Sequence, residues 1–271
     1  MSDNGGGGIA AGELPEGTQI AELNAYETAY LYREIFVERQ YNPDDLPDLP
    51  PEPVVFDIGA NIGLFSLYAL GRWPGAAVHA FEPAPEPYQA LERNLAGRPG
   101  AHATRVAVGR FPGTTTMSYF PGFTMMSGLR ADSDYDLSVA REYLVRAAGR
   151  DGGAGAQTLA ATADELLAGR FEPATVSCRV RTVDELVRES GVHRIDLLKI
   201  DVERYELDVL LGIGDEVWPL VDRIAVEVDD REGELEEAGA LIKDRGLRCE
   251  VRQASDYQGS TMYMLHAFRD R

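Results

Sequence analysis

The segment Phe56-Asp57-Ile58-Gly59-Ala60-Asn61-Ile62-Gly63 constrains this chain more than any other. It starts inside the apolar run Val54–Ile58 and ends where a helical period begins. A short apolar run closed by glycine reads as a strand followed by a tight turn. Glycines there let the backbone pass close to a ligand, and the helix N-terminus supplies unpaired N–H donors. In an open α/β sheet the ligand crevice lies at this end of the strand.

The flanking pattern extends the same scheme. Residues 62–70 have helical period, and Ala77–Phe81 reads as a second strand. Pro85–Leu95 reads as a helix with prolines in its first turn, and residues 102–108 as a third strand. Strand–helix–strand units of this length imply parallel strands and right-handed crossovers. The alternation pauses over residues 111–194. Within that stretch 160–168 reads as a helix, 176–180 as an added strand and 183–189 as a short helix. It is expected to form a lid over the acceptor, mobile near 147–157, because insertions in α/β enzymes sit at the ligand end.

The alternation resumes with a central strand at 195–200, a helix at 203–211, a strand at 223–228 and a helix at 232–245 closed by Gly246. Residues 247–251 and 262–267 read as a closing antiparallel hairpin. The predicted fold is α/β and Rossmann-like, with a mostly parallel seven-stranded sheet and helices on both faces. Residues 1–18, with their GGGG run, read as a disordered tail. Residues 19–271 read as one domain, in which 19–52 form an N-terminal helical cover. Its helix spans 26–36, before prolines at 43, 47, 50, 51 and 53 break regular structure.

Composition narrows the ligand. The chain has 271 residues, with 26 Lys plus Arg against 45 Asp plus Glu, a net charge of −19. Such a surface repels phosphate backbones, so no nucleic-acid partner is expected. No apolar run approaches the roughly 20 residues of a membrane span, and residues 1–8 do not resemble a signal peptide. The expected location is the cytoplasm, with no membrane partner. Two cysteines and four scattered histidines suit neither a disulfide framework nor a zinc site.

The spacing Gly59-x-Asn61-x-Gly63 fails the dinucleotide pattern G-x-G-x-x-G. Asp57, beside the turn, would repel a pyrophosphate. S-adenosylmethionine carries a sulfonium and an ammonium and no phosphate, so a carboxylate suits it, directly or through water. In Phe81-Glu82-Pro83, Glu82 stands where an acidic side chain accepts both ribose hydroxyls of an adenosine. A nicotinamide dinucleotide is held the same way, so Glu82 discriminates only together with the turn. The plainer reading makes Asp57 and Glu82 mere caps of the turn and of the next helix.

Three motifs together resemble the FkbM family of O-methyltransferases: F-D-I-G-A-N-I-G-L-F-S at 56–66, A-F-E-P at 80–83 and D-L-L-K-I-D-V-E-x-x-E-L-D-V-L at 196–210. Segments 27–39 and 119–129 resemble the branch found in polyketide and nonribosomal-peptide pathways. The resemblance implies a methyltransferase fold, S-adenosyl-L-methionine as donor, and a hydroxyl acceptor on a secondary metabolite or sugar. The cofactor contacts it implies are Asp57, Gly59, Asn61, Gly63, Phe65, Ser66, Glu82, Pro83, Ala107 and Asp201. Two departures fall on the acceptor side. Arg204 stands where many members have glycine, and Asp229 where the branch often has histidine.

An alcohol acceptor must lose a proton, so a base or a metal is useful. Lys199, Asp201 and Glu203 lie at the carboxyl end of the central strand and share one side if it stays extended. Asp201 is the first candidate for a base, with Glu203 and Lys199 as further catalytic candidates. The alternative is an ion pair of Lys199 with Asp201 or Glu203 that only orders the crevice. Glu227, Asp229 and Asp230 with Asp201 offer oxygen ligands for Mg2+, but a solvated acidic loop is the favoured reading, and no metal ligand is assigned. His193 reads as a turn residue and His79 as core-adjacent, while His266 stays unassigned. The aromatic run 119–123, with Met125 and Met126, either lines the acceptor pocket or simply packs. Tyr26, Tyr30 and Arg33 either cover the cofactor or dock their helix. The acceptor is a small molecule or a carrier-bound intermediate. N-methylation and a non-catalytic S-adenosylmethionine-binding role are the competing functions.

Overall fold

The computed structural model describes Leu14, residues 18–130, 134, 135, 137–139, 141, 172–254 and 257–270. The expected mobile stretch at 147–157 and helix at 160–168 lie outside the described residues, as does the tail at 1–18 apart from Leu14 and Thr18.

The sheet has seven strands. Strands β1 (Val54–Ile58), β2 (Ala77–Phe81) and β3 (Ala101–Thr104) run parallel on one side. Beyond them, β4 (Ala107–Val108), β5 (Gly113–Tyr119) and β6 (Ala174–Arg181) form a separate small sheet. Strands β7 (Leu197–Ile200) and β8 (Arg223–Asp229) continue the main sheet in parallel from β1. The hairpin of β9 (Arg248–Arg252) and β10 (Met262–Phe268) closes it, with β10 inserted antiparallel between β8 and β9. The order is thus β3-β2-β1-β7-β8-β10-β9, the expected mostly parallel sheet with an antiparallel end.

Period-2 alternation splits the strands between two cores. Phe56, Leu198, Ile224 and Leu265 face a cluster with Val183, Leu186, Val209, Leu210, Ala238 and Ile242. These six come from α4 (Val183–Ser190), α5 (Glu206–Leu211) and α6 (Glu234–Asp244). Val55, Val78, Leu197, Ala225 and Met264 face the other side. There they meet Leu64, Tyr68, Ala90 and Leu91 from α2 (Leu64–Arg72) and α3 (Pro85–Leu95). The N-terminal segment joins this second core through Ile35, Phe36 and Tyr41.

Four details differ from the sequence reading, each for a local reason. The stretch expected as one strand at 102–108 divides after Thr104, and its second half pairs with β6 in the small sheet. Strand β5, unread in the sequence, is rich in threonine and has little apolar alternation; it pairs with β6 along its whole length. The N-terminal helix is α-helical over Ala25–Tyr32 (α1) and then widens to a π-helical turn, Arg33–Val37. The wider turn carries Glu34, Ile35 and Phe36, all three buried.

The helix expected from Glu203 begins only at Glu206, because Glu203 and Arg204 take left-handed φ of 55° and 68°. The Glu206 carboxylate accepts from the N–H groups of Val202 and Arg204 at 3.1 and 3.0 Å and fixes that turn. The strand therefore ends at Ile200, and simple alternation does not extend to Glu203.

Gly59 is where the sheet edge closes. Its φ is +75°, and a Cβ there would lie 1.7 Å from the Asp201 carbonyl oxygen. Gly97 shares a positive φ of +70° but has nothing within 4 Å. Gly59→Ala is therefore expected to cost roughly 3 kcal/mol or more, against about 1 kcal/mol for Gly97→Ala. Thermal unfolding of the two variants checks this: Gly59→Ala should melt lower by about 6 °C or more, and equal melting points would refute the close approach.

Candidate active site

The β1–α2 turn is built from backbone hydrogen bonds. The N–H groups of Gly59 and Ala60 both donate to the Phe81 carbonyl at 3.0 Å, tying the ends of β1 and β2. Asn61 takes a left-handed φ of 48°, and its side-chain oxygen accepts from the Ile62 N–H at 2.7 Å. This local bond is what lets asparagine hold that conformation. Gly63, φ +89°, leaves no room for a Cβ because Leu91 Cδ1 would stand 2.6 Å away.

Glu82 closes this end of a cleft that runs along the carboxyl edge of the strands. Its carboxylate accepts from the N–H of Asn61 at 2.9 Å and of Ala84 at 2.8 Å. Burial raises its pKa to about 7, against the pull of those two donors. Pro83, Val106, Ala107, Val108 and Met117 give this end apolar walls. A buried carboxylate beside apolar walls suits a nucleoside: the ribose diol donates to the acid and the base packs on the walls.

The other end is acidic. Asp57 is fully buried, accepts from Ser66 Oγ at 2.7 Å and faces Lys199 Nζ at 3.2 Å. Lys199 also donates to the Gly59 carbonyl at 2.8 Å and pairs with Asp201 at 3.3 Å. Burial disfavours the ammonium, but Asp201 and Asp57 outweigh it and hold the Lys199 pKa above its ordinary value. Lys199 is thus a charged tie between β1 and β7 and not a base. The Tyr41 hydroxyl lies 2.9 Å from Asp201 Oδ2 and 3.0 Å from Glu227 Oε2. Glu34 accepts from Tyr30 at 2.5 Å and Tyr257 at 3.2 Å. Burial, with like charge from Asp201, raises Glu34 to about 8 and Glu227 well above its ordinary value.

Of the residues singled out in the sequence, Gly59, Asn61, Glu82, Pro83, Ala107, Asp201 and Glu203 line the cleft. Asp57, Gly63, Phe65, Ser66 and Lys199 do not; they stand behind the turn. Phe65 is buried against Tyr41 and Tyr68. Asp57 is joined to the cleft wall through Lys199, which pairs with both Asp57 and Asp201. Asp229 accepts from Tyr135 at 2.9 Å and from Thr261, while Asp230 turns away to accept from the Leu235 N–H at 3.2 Å. Among the described residues no group of three acidic, histidine or cysteine side chains is placed to hold a metal.

His193 is an exposed turn residue; His79 stacks on His102 at 4.8 Å, and His266 is fully buried in β10. Met125 and Met126 line the cleft, whereas Tyr119, Phe120 and Phe123 are buried in packing. Tyr30 walls the cleft, with Leu31 and Glu34, while Tyr26 is exposed and Arg33 pairs with Glu38 at 2.8 Å. The sequence reading missed Glu34, Tyr41 and Tyr257. The first was hidden by the π-helical turn, and the other two sit in loops without period. The signal that was present is an acid within an apolar helix face, Glu34 beside Ile35 and Phe36.

Residues 57–249 match the Methyltransferase FkbM domain. The 31-O-demethyl-FK506 methyltransferase FkbM of Streptomyces tacrolimicus is 37% identical over 258 residues, covering 94% of this chain and 95% of that protein. Methyltransferase sdnD of Sordaria araneosa is 35% identical, covering 96% and 99%. The AMB antimetabolite synthetase AmbE of Pseudomonas aeruginosa is 40% identical over 266 residues, which is 95% of this chain and 12% of AmbE. A solved structure, Methyltransferase FkbM from Methylobacillus flagellatus, superposes with a TM-score of 0.50 at 14% identity. It covers 90% of this chain and 55% of its own, and shows the shared fold.

The buried acids set a pH dependence. Glu34, Glu82 and Glu206 are raised from 4.5 to about 8, 7 and 7. The native state thus binds more protons than the unfolded one above pH 4.5, and stability falls as pH rises through the folded values. His79 and His266, lowered from 6.5 to about 4 and 3, act in the opposite sense, but only below about pH 6.5. The ligand-free protein should therefore lose stability between about pH 6.5 and 8.5. Urea titrations across that range check this, and a stability rising toward pH 8.5 would contradict it.

Proposed function

The chain belongs to the FkbM family of methyltransferases, and we propose that it transfers the methyl group of S-adenosylmethionine to a hydroxyl of a secondary-metabolite intermediate, free or carrier-bound. The observation that carries this reading is the charge of the cleft. Glu34, Glu82, Asp201, Glu203, Glu227 and Asp229 line it, and Arg204 is the one Lys or Arg among the described lining residues. That sign attracts a sulfonium and repels a pyrophosphate, so the methyl donor is favoured over a nicotinamide dinucleotide.

When bound, the donor supplies an electrophilic methyl carbon, which the acceptor oxygen takes as the carbon–sulfur bond breaks and sulfur keeps the electron pair. The chain's own residues do the rest. Glu82 orients the ribose and the apolar walls hold the base. Asp201 and Glu227 bring two carboxyl groups together at the far end, where the Tyr41 hydroxyl lies within hydrogen-bond distance of both. Holding the acceptor in line and close is the main source of rate in such a displacement. A hydroxyl acceptor must also shed a proton, and the raised carboxyls of this end are suited to receive one. The printed name of the Streptomyces tacrolimicus relative, a 31-O-demethyl-FK506 methyltransferase, also favours oxygen over nitrogen.

Calorimetric titration tests the donor assignment. Wild type should bind S-adenosylmethionine and not NADH. Glu82→Gln removes the charge that the ribose diol meets, a loss of about 1.5–3 kcal/mol, or roughly 10- to 150-fold in affinity. Acceptor pairs that differ only in hydroxyl against amine, read by mass spectrometry, test the atom. Methyl found on nitrogen alone would refute O-transfer, and methylation of neither by a donor-binding protein would favour a non-catalytic role.

A further inference from the structure

The acidic end of the cleft holds more carboxylates than it has means to satisfy. Tyr41 has one hydroxyl proton, yet both Asp201 Oδ2 and Glu227 Oε2 stand within hydrogen-bond distance of its oxygen. One O–H donates fully to one acceptor at a time. The ammonium nearest the cluster is Lys199, already divided between Asp57 and Asp201. Three carboxylates, Glu34, Asp201 and Glu227, thus line this end of the cleft, and of these the Lys199 ammonium contacts Asp201.

Every element packed around Glu227 adds to the same imbalance. The N-terminal helix and its π-helical turn present Tyr30 and Glu34, and the following loop presents Tyr41. Strand β7 contributes Lys199 and Asp201, the start of α5 contributes Glu206, and Asp229 lies two residues along β8 itself. The loop before β10 contributes Tyr257. The tyrosines are neutral donors; the cations are Lys199 and, from the turn before α5, Arg204, which donates to the Arg130 carbonyl at 2.9 Å and stacks on Tyr135.

We propose that Glu227 carries a proton while the cleft is empty and surrenders it to solvent when a cationic methyl donor enters, so that a proton acceptor for the hydroxyl exists only in the donor complex. This rests on the reading that the donor is S-adenosylmethionine. The assignment to Glu227 follows from its neighbours. Asp201 has the Lys199 ammonium as a partner at 3.3 Å. Glu34 has two tyrosine hydroxyls directed at Oε1. Glu227 has only a share of the single Tyr41 hydroxyl, divided with Asp201, and no ammonium within ion-pair distance among the described residues. Burial and the Asp201 charge act in the same direction, raising its proton affinity. A sulfonium brought into this cluster lowers that affinity by direct attraction to the carboxylate. In turnover the hydroxyl proton then moves to the vacated Glu227 carboxylate as the new O–CH3 bond forms, and Glu227 returns to its starting state.

The test compares a charged ligand with its neutral counterpart. S-adenosylhomocysteine keeps the nucleoside and the amino acid but has a thioether where the donor has a sulfonium. The full chain is titrated with each near pH 7, in buffers of different ionisation enthalpy, so that the protons released are counted. The methyl donor should release roughly one proton more than the thioether. Its affinity should rise with pH, by up to tenfold per pH unit as pH climbs toward neutrality, while that of the thioether rises less. Glu227→Gln should still bind the donor and lose the excess release. Equal release by the two ligands would overturn the proposal. So would an excess that survives in Glu227→Gln, or one that is lost in Glu34→Gln instead. If Glu227→Gln fails to fold, the two wild-type titrations decide alone. Binding of neither ligand would sink the donor reading and the coupling with it, whereas binding of both without excess release sinks the coupling only.

Discussion

One buried ammonium holds the functional edge of this sheet together. Lys199 reaches from β7 to the Gly59 carbonyl, pairs with Asp57 behind the turn and with Asp201 at the cleft wall. Removing a charge partner from such a buried group is expensive, because the remaining charge is left in a poorly solvating interior. The tie therefore fixes the β1–α2 turn and the end of β7 as one unit. Gly59 makes the close approach sterically possible, since any side chain there would meet the Asp201 carbonyl. Glu206 then shapes the chain just beyond, by accepting from two N–H groups of the turn that carries Glu203 and Arg204.

What this tie supports is a cleft with two chemically different ends. At one end a buried carboxylate stands among apolar walls, and at the other Glu34, Asp201 and Glu227 accept from tyrosine hydroxyls while the Lys199 ammonium pairs with Asp201. Such an arrangement is electrostatically unfinished and is completed by a positive ligand. The family membership, established over residues 57–249, makes a methyl donor the natural candidate for that ligand. The relatives differ in scale: two match this chain nearly end to end, while in AmbE the matching segment is 12% of the protein.

Much of the frame was legible in the sequence because it rests on short-range rules. The apolar runs at 54–58, 77–81 and 195–200, the turn glycines and the helix periods between them specify parallel strands without tertiary knowledge. Glu82 was legible by its place after β2, and it does line the cleft. The missed parts depend on contacts between distant segments. Tyr41 follows an N-terminal helix and precedes a proline-rich stretch, so nothing local announces that it meets Asp201 and Glu227, which lie 160 and 186 residues away in the chain. Glu34 was obscured by the π-helical turn, and the separate small sheet by a threonine-rich strand with weak alternation. For Asp57 the sequence leaves open a direct contact, one through water, or a cap of the turn, because it shows only proximity to the turn. The alternation of β1 points it toward Ser66 and Lys199.

The central claim is that the cleft binds the methyl donor with its nucleoside at Glu82 and its sulfur toward the acidic end. A crystal structure of the protein with S-adenosylhomocysteine tests this most directly. The account predicts both ribose hydroxyls on the Glu82 carboxylate and the sulfur facing Asp201 and Glu227. A ligand bound with its adenine among Glu34, Asp201 and Glu227, or bound outside this cleft, would contradict it.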